Sequence, residues 1–531
     1  MQQTIAQALA GQLAAWEVGT VFGVAGDDIL PLLDALVAEG KTRFLPTAHE
    51  AGAAFMAANQ ARLTGELGVC MASAAGVVNL LEGLADAYLD GLPVLAITGQ
   101  VTAAKIGRPV LQYYDQQRLV GTMSVFSRLV VSATSALPLF FLAVSQAMGR
   151  QSVSHLSFPQ DIWQETIEFE PAERPSLLTG EVSLPEVGGD LNRAINLMTK
   201  AKRPLLVVGK RGRGAPGEIK LLAEVWGAAV LVAQEAKGII PDSWPQVVGG
   251  AGENWLPRAV RECDCLLLLG SASYEEAFFP PVPVIQVVSH LAEVKEEYLW
   301  DALTGKISLI LKLLAAKLDG YQVSSSWQET IDSDKKELKN LLIRDSQDNS
   351  IPIHPARFIV ALNRVVAEDA IIALDTGAFN RWFDRGFQAN KQQILLSSFW
   401  RSMGAGVPAA NAAQVHCPRR QVIALVGDGG LLMSLGELAM AVKNQLPVKI
   451  LVVRDRVYNL EKNKARAEGL APAGLEVPDV DLAPLARACG ALGFRIEEPF
   501  QLEATLAQAL SESQTVLVEI LCREVPLLDL R

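Results

Sequence analysis

The stretch QVIALVGDGGLLMSLGELAMA, residues 421–441, decides the fold of this chain. Its apolar run up to Val426 predicts a buried strand, and the amphipathic segment from about Leu431 predicts a helix. The GDGG turn between them, residues 427–430, lets the backbone come close to a ligand. Since the first N–H groups of a helix attract phosphate, the pattern predicts a strand, a phosphate-binding turn and a helix.

A second acidic residue follows at the end of the next predicted strand. The apolar run Val448–Val453 ends in Arg454 and Asp455, with 24 residues between Gly429 and Arg454. One β-α-β step in a parallel sheet returns the chain to the same edge, so Asp428 and Asp455 are expected to face one metal ion. A carboxylate beside a phosphate site commonly holds a bridging divalent cation. The alternative is a local ion pair at the strand end.

Composition places the chain among globular proteins. Its 531 residues are 50% hydrophobic and 20% charged, and the net charge is −11 without a basic block, which argues against nucleic acid or an anionic membrane as partner. No apolar run is long enough for a bilayer and the N-terminus lacks a signal-peptide pattern, so a cytoplasmic protein without a membrane partner is expected. The cysteines and histidines show no metal-ligand spacing.

Short apolar strands alternate with amphipathic helices in three segments of the chain. This alternation predicts three α/β domains, each a mainly parallel sheet flanked by helices, at 1–168, 188–320 and 352–531. A Pro-, Gly- and Glu-rich linker and a polar connector at 322–350 are expected between them. Ligands bind beyond the carboxyl ends of strands in such sheets, and most polar strand-end signals fall in the first and third segments.

Motifs in a fixed order resemble one known family along nearly the whole chain. They are FGVAGDDILPLLDAL (22–36), AHEAGAAFMA (48–57), the stretch 68–101, KRPLLVVGK (202–210), AKGIIPD (236–242), HPAR (354–357), DTG (375–377), RSMGAGVPAANAA (401–413) and the GDGG turn. The sequence resembles the thiamine diphosphate enzymes related to acetolactate synthase, pyruvate oxidase, pyruvate decarboxylase and benzoylformate decarboxylase. The resemblance implies a pyrimidine-binding first domain, a central domain and a diphosphate-binding third domain.

The resemblance implies a catalytic role for Glu50 with a clear chemical basis. A carboxyl group bonded to N1′ of the aminopyrimidine favours the imino tautomer, whose nitrogen takes the proton from C2 of the thiazolium. The alternative is an acidic residue that only opens the helix at 51–62. Met403 is expected to hold the cofactor in its bent form, with a core methionine as the alternative. The other expected cofactor contacts are Gly76, Asn79, Gly377, Ala378, Gly404, Gly427, Asp428, Gly429, Gly430, Val457 and Tyr458.

The resemblance also implies a metal site. Asp428, Asp455 and the backbone of Val457 match the family's ligands, and oxygen ligands favour Mg²⁺. Asp455 stands where the family usually carries asparagine.

The resemblance implies a 2-keto acid such as pyruvate as the substrate, and three residues bear on what happens to it. Gln112 and the overall pattern fit carboligation, as in acetolactate synthase. Asp27 and Glu461 lie where pyruvate-decarboxylase-type enzymes carry active-site carboxylates, which could relay protons after CO₂ leaves and release an aldehyde. The alternatives are a helix cap for Asp27 and a solvated helix face for Glu461. A cofactor-binding homologue with altered or lost catalysis stays open, because Arg454-Asp455 replaces the usual Asn-Asn and because the catalytic histidines of related decarboxylases have no counterparts. The retained Glu50 argues against it, since cofactor binding alone would not need activation at N1′.

Departures from the family pattern bear on FAD and on catalysis. SASYEEAFFP (271–280) replaces an arginine-containing segment of acetolactate synthases, and PVIQVVSH (283–290) replaces an acidic strand, so FAD is expected to be absent. The paired histidines of pyruvate decarboxylase have no counterpart at Gln112 and Tyr113. In the family, the pyrimidine domain of one subunit faces the diphosphate domain of another, which implies a homodimer or homotetramer with sites at the subunit interface.

Overall fold

The computed structural model describes residues 2–174, 187–252, 255–270, 278–289, 293–294 and 301–526. Three six-stranded sheets, each parallel throughout and flanked by helices, form the framework and confirm the predicted fold class. Residues 271–277 and 290, on which the FAD expectation partly depends, lie outside the described residues, as do residues 175–186 of the predicted linker. Within the described ranges, no helix is both long enough and apolar enough to pass through a membrane.

The N-terminal sheet has the strand order β3-β2-β4-β5-β7-β6, and a two-stranded antiparallel pair, β1 and β8, lies beside it. The strands are β1 Gln2–Thr4, β2 Thr20–Gly23, β3 Arg43–Pro46, β4 Gly68–Ala72, β5 Val94–Gln100, β6 Phe126–Leu129, β7 Val153–Pro159 and β8 Thr166–Glu168. The helices are α1 Ile5–Ala15, α2 Leu30–Glu39, α3 Glu50–Thr64, α4 Val77–Leu89, α5 Gln116–Val120 and α6 Ala133–Arg150. Gly83 in α4 allows this helix to pack closely against α3, since a Cβ on Gly83 would lie 2.5 Å from the backbone nitrogen of Phe55.

The central sheet has the strand order β11-β10-β9-β12-β13-β14. The strands are β9 Pro204–Val208, β10 Ala229–Val232, β11 Val247–Gly249, β12 Cys265–Leu269, β13 Val284–Val288 and β14 Asp301–Thr304. The helices are α7 Leu191–Lys200, α8 Pro216–Trp226, α9 Arg258–Glu262 and α10 Ile307–Lys317. Strands β9, β10 and β12 are apolar on both faces, as expected of a parallel sheet that helices cover.

The polar connector predicted at 322–350 contains a long helix, α11 Ser325–Ser346. Most of its charged residues face solvent, with Asp334 as a buried exception, while Trp327, Ile331 and Leu338 are buried on one side. These three positions are spaced by four and seven residues, which is the period of one helix face. The connector is therefore a packed amphipathic helix, and its high charge hid the apolar stripe.

The C-terminal sheet has the strand order β16-β15-β17-β18-β20-β19. The strands are β15 Ile371–Leu374, β16 Gln393–Leu396, β17 Val422–Gly427, β18 Lys449–Arg454, β19 Leu492–Ile496 and β20 Val516–Leu521. The helices are α12 Pro355–Val365, α13 Phe379–Gly386, α14 Gly406–His416, α15 Asp428–Met433, α16 Leu435–Lys443, α17 Asn459–Ala467, α18 Leu482–Ala488 and α19 Leu502–Ser511. Because β15, β17 and β18 are neighbours, their carboxyl ends bring three loops to one edge.

Candidate cofactor-binding site

A cavity of about 1010 Å³ opens at this edge of the C-terminal sheet. Loops that follow β15, β17 and β18 line one side of it, and the start of α3 from the N-terminal part of the chain lines the other. The cavity contains many of the residues predicted from the sequence. They are Gly377, Ala378, Met403, Gly404, Gly427, Asp428, Gly429, Gly430, Asp455, Val457, Tyr458 and Glu461.

The glycine-rich turn is packed too tightly for side chains. A Cβ on Gly429 would lie 2.6 Å from Cε1 of Tyr458, and one on Gly430 would lie 2.4 Å from Oδ2 of Asp375. Helix α15 begins at Asp428 and not near Leu431, because the turn itself is already helical. The backbone of the turn therefore forms part of the cavity wall, as a cradle for a ligand requires.

Asp428 and Asp455 lie together at the ends of β17 and β18. Asp428 Oδ2 accepts the backbone N–H of Arg456 at 2.8 Å, and Asp455 Oδ1 accepts that of Val457 at 3.4 Å. Burial raises the pKa of Asp428, and burial together with the nearby Asp428 raises the pKa of Asp455 to about 7. A buried carboxylate and a partly buried one that repel each other fit a divalent cation, which would relieve the repulsion.

The rest of a cation's coordination shell would have to come from oxygens other than these two side chains. Over the described part of the chain, no group of three or more His, Cys, Asp or Glu side chains is arranged to hold a metal ion. Backbone carbonyls and water are ordinary ligands for a hard cation such as Mg²⁺. The expected ligand set of two carboxylates and one backbone group agrees with this donor chemistry.

Arg454 belongs to a different cluster from Asp455. Its buried guanidinium donates to the carboxylate of Glu519 in β20 and to that of Asp479. Arg454 therefore pairs with an acid on the neighbouring strand, and the alternative of a local ion pair with Asp455 is not what the structure shows. Asp455 is left to face Asp428 in the cavity.

Glu50, Gly76 and Asn79 come together on the N-terminal part of the chain. Asn79 Nδ2 donates to Glu50 Oε2 at 2.9 Å, and a Cβ on Gly76 would lie 2.3 Å from Glu50 Oε1. Glu50 is the first residue of α3. The cavity is lined by residues on both sides of Glu50 in the sequence, including His49 and Ala51, but not by Glu50 itself.

Two carboxylates hold the loop that carries Met403, and sequence reasoning missed both as site residues. Asp375, at the end of β15, accepts the N–H groups of Thr376 at 2.7 Å and Gly404 at 2.9 Å, and burial raises its pKa to about 7. Glu82 in α4 accepts the hydroxyl of Ser402 at 2.6 Å. The DTG motif pointed to Asp375, whereas Glu82 had no local signal because its contact spans 320 residues.

The predicted substrate residues occupy three different settings. Glu461 lines the cavity from α17 and is exposed, with Lys464 Nζ 3.6 Å from its Oε1. Asp27 is exposed, whereas the adjacent Asp28 is buried and accepts the N–H of Ala74 at 2.7 Å. Gln112 is exposed on a loop. In a single chain the structure brings only Glu461 to the cavity.

The fold is that of an α/β protein whose candidate cofactor site lies at the carboxyl ends of its strands, as in many enzymes of this class. Three family descriptions match in order: the N-terminal TPP binding domain of thiamine pyrophosphate enzymes at residues 3–119, the central domain at 191–314 and the C-terminal TPP binding domain at 375–520. The chain therefore belongs to the thiamine pyrophosphate (thiamine diphosphate) enzyme family, and the resemblance stated from its motifs is confirmed.

Curated relatives match over nearly the full length of the chain. YdaP of Bacillus subtilis, named only as a thiamine pyrophosphate-containing protein, is 30% identical over 535 residues, covering 99% of this chain and 92% of that protein. Acetolactate synthase isozyme 2 large subunit of Escherichia coli is 30% identical, covering 97% and 95%. Pyruvate oxidase of Lactiplantibacillus plantarum is 27% identical, covering 96% and 86%. The chain is thus a thiamine diphosphate-dependent enzyme of the acetolactate synthase and pyruvate oxidase family.

Proposed function

We propose that the protein uses thiamine diphosphate and Mg²⁺ to decarboxylate a 2-keto acid such as pyruvate and to join the remaining fragment to a second keto acid. The observation that carries the proposal is the meeting of Asp428 and Asp455 beside a glycine-rich turn in a large cavity. When bound, thiamine diphosphate supplies a carbon nucleophile for attack on the keto carbonyl. The acetolactate synthases among the relatives support carboligation as the outcome.

The binding roles follow from the chemistry of each wall of the cavity. Asp428, Asp455 and the backbone of Val457 would hold the cation, and the N–H groups of the turn at 427–430 would bind the diphosphate. Gly377, Ala378, Met403 and Tyr458 would pack against the organic part of the cofactor, with Gly404 in the same loop as Met403. The cavity is large enough for a ligand of that size.

Glu50 would act as the carboxyl that shares a proton with N1′ of the aminopyrimidine. Its Oε2 is oriented by Asn79 and its Oε1 lies over Gly76, so the carboxyl is held on two sides. A carboxyl held in one position is a better proton donor and acceptor than a mobile one, because the distance to its partner is fixed. This arrangement supports the role that the sequence implied for Glu50, Gly76 and Asn79.

We propose that two copies of the chain complete each site. Glu50 lies outside the cavity that contains Asp428 in its own chain, so the proposed cofactor contacts fall into two groups. On α4, the helix that carries Asn79, Val78 is 53% exposed and Leu89 is 44% exposed on one face, and Trp400 is 39% exposed. An apolar surface beside an incomplete site suits a second copy of this chain, in a homodimer or a homotetramer.

The first alternative is simple decarboxylation with release of an aldehyde. Glu461 favours it, because this carboxylate lies on the cavity wall where it could donate a proton to the product. Asp27 and Gln112 could reach a site only from another subunit, and their roles stay proposals. The second alternative is a homologue that binds the cofactor with altered or lost catalysis, for which Asp455 in place of asparagine is the reason.

The proposed cofactor set does not include FAD. That part of the proposal rests on the absence of the arginine-containing segment from the sequence at 271–280. A relative named pyruvate oxidase makes an oxidising reaction the competing outcome. A purified protein that is yellow, with a flavin spectrum and oxygen uptake on pyruvate, would overturn the flavin-independent proposal.

The test is incubation of the full chain with pyruvate, thiamine diphosphate and Mg²⁺, followed by product analysis. Acetolactate is the expected product. Acetaldehyde as the main product would favour the first alternative, and binding of the cofactor without CO₂ release across a panel of 2-keto acids would favour the second. Omission of Mg²⁺ serves as the control and is expected to remove both cofactor binding and turnover.

A further inference from the structure

Glu437 is a buried carboxylate in α16 that reaches to the residues just before Glu50. Its Oε1 accepts the backbone N–H groups of Ala48 at 3.0 Å and His49 at 3.2 Å. The residue is 2% exposed. Because Glu50 is the first residue of α3, the two peptide groups that Glu437 binds lie immediately before this helix.

Two glycines make the contact between α16 and α3 possible. A Cβ on Gly52 would lie 2.3 Å from Glu437 Oε1, and a Cβ on Gly436 would lie 2.6 Å from Cβ of Ala48. Both distances are shorter than non-bonded atoms allow, so the two helices approach as closely as glycine permits. A carboxylate confined in this way fixes the start of α3 relative to α16.

The helix that carries Glu437 follows the turn that is proposed to bind the cation. The segment that carries Glu437 starts with α15, whose first residue is Asp428. Asn411 in α14 donates to the backbone carbonyl of Glu437 at 3.1 Å, which ties α16 to its neighbour in the C-terminal part of the chain. Glu437 and Asp428 line the same cavity.

The second oxygen of Glu437 is not accounted for by packing alone. Oε2 is buried and accepts no hydrogen bond from the described residues. Burial raises the pKa of this carboxyl to about 7. A buried oxygen without a partner is unfavourable, a cost that an apolar side chain would avoid.

We propose that Glu437 is a positioning residue for Glu50, holding the start of α3 through two backbone hydrogen bonds. The inference rests on the proposed role of Glu50 with thiamine diphosphate. Glu437 need not touch the cofactor or the substrate. It acts by placing the Glu50 carboxyl where a proton can be shared with the aminopyrimidine.

The test compares two substitutions that separate position from charge. Glu437→Asp keeps the charge but shortens the side chain by one methylene, which withdraws the acceptor from Ala48 and His49. Glu437→Gln keeps an acceptor oxygen at the original distance and removes the charge. The readout is the rate at which the C2 hydrogen of bound thiamine diphosphate exchanges with D₂O, without any substrate, together with cofactor affinity and melting temperature.

Asp334 supplies a matched control in the central part of the chain. This buried aspartate in α11 accepts two consecutive N–H groups, of Arg258 at 2.9 Å and Ala259 at 2.8 Å, at the start of α9. Asp334→Asn therefore disturbs the same kind of contact outside the cavity. It is expected to lower the melting temperature and to leave the C2 exchange rate within about twofold, since α9 carries no proposed site residue.

The account predicts that Glu437→Asp lowers the exchange rate about tenfold or more, since a displacement of about 1 Å can cost up to 100-fold. Glu437→Gln is expected to stay within about threefold of the unmodified protein. A wild-type exchange rate in Glu437→Asp, or an equal loss in both variants, would overturn the positioning role. Failure of the unmodified protein to bind the cofactor or to exchange C2 hydrogen would instead contradict the proposed function itself.

Discussion

The buried guanidinium of Arg454 pairs with the fully buried carboxylate of Glu519 across neighbouring strands β18 and β20. This pair answers why an apolar strand ends in two opposite charges. Arg454 balances an internal acid and completes the sheet edge, while Asp455, one residue on, faces the cavity. The two adjacent charges therefore have separate tasks, one in stability and one in the proposed cation site.

Loss of Arg454 is expected to destabilise the C-terminal part of the chain. Arg454→Met leaves Glu519 buried without its cation, and such a loss typically costs about 3–5 kcal/mol. Arg495→Met is the matched control, because Arg495 pairs with Asp481 and Glu497 at the surface, where pairs contribute about 1 kcal/mol or less. Urea unfolding of both variants measures the difference. Equal losses of unfolding free energy would contradict the structural role of the buried pair.

Replacement of Asp455 by asparagine is expected to keep cofactor binding and activity. The amide retains an oxygen for the cation and removes the repulsion from Asp428 that contributes to the raised pKa of Asp455. Calorimetric titration with Mg²⁺ and thiamine diphosphate measures the outcome. Loss of metal binding in Asp455→Asn would mean that the second carboxylate is required in this chain, and that its substitution for the usual asparagine is functional.

The contact from Glu82 to Ser402 is expected to contribute to cofactor affinity. Glu82→Ala removes the acceptor for the Ser402 hydroxyl at 2.6 Å and for Trp400 Nε1–H at 3.3 Å, both on the loop that carries Met403. At a net value of about 1 kcal/mol for an ordinary hydrogen bond, the loss is about 1–2 kcal/mol, or about 5- to 30-fold in the dissociation constant. Glu66→Ala is the control, since Glu66 pairs with Arg174 and does not line the cavity. Unchanged affinity for thiamine diphosphate in Glu82→Ala would show that the loop is held without this contact.

His155 is expected to make the N-terminal part of the chain sensitive to acid. The ring lies buried between the hydroxyl groups of Thr98 and Ser127, and burial lowers its pKa to about 3. Below pH about 6.5 the unfolded chain binds a proton that folded His155 does not. The free energy of unfolding therefore decreases by about 1.4 kcal/mol for each unit by which the pH is lowered. His155→Gln removes this contribution. Urea unfolding at pH 6.5, 5.5 and 4.5 measures it, and parallel pH slopes for the two proteins would contradict the assignment.

The sequence was sufficient for the fold class and for the residues at strand ends. Alternating apolar strands and helices predicted parallel sheets, and the rule that ligands bind at carboxyl ends led to Asp428 and Asp455. The sequence predicted Glu50 and Asn79 as two separate cofactor contacts and did not predict that they bond to each other. Their hydrogen bond depends on how α3 packs against α4, which local periodicity does not reveal.

Contacts between distant parts of the chain account for most of what sequence reasoning missed. Glu437 and Ala48 are 389 residues apart, so their hydrogen bond has no local signal. Asp27 and Asp28 are adjacent in a short helical turn, and their side chains point in different directions. The structure buries Asp28, whereas the sequence had suggested Asp27 as the site residue. The helix at 325–346 was hidden because its buried stripe of three apolar residues is outnumbered by charged ones.

Glu50→Gln tests the central claim most directly, because it changes the one carboxyl proposed to activate the cofactor and leaves the cation site intact. Thiamine diphosphate binding and CO₂ release are measured in the same preparation, with the 2-keto acid that the unmodified protein turns over best. The account predicts binding within about fivefold and turnover reduced about 100-fold or more, the usual scale of acid–base catalysis. Full turnover in Glu50→Gln would contradict the role of Glu50 and, with it, the mechanism proposed for this enzyme.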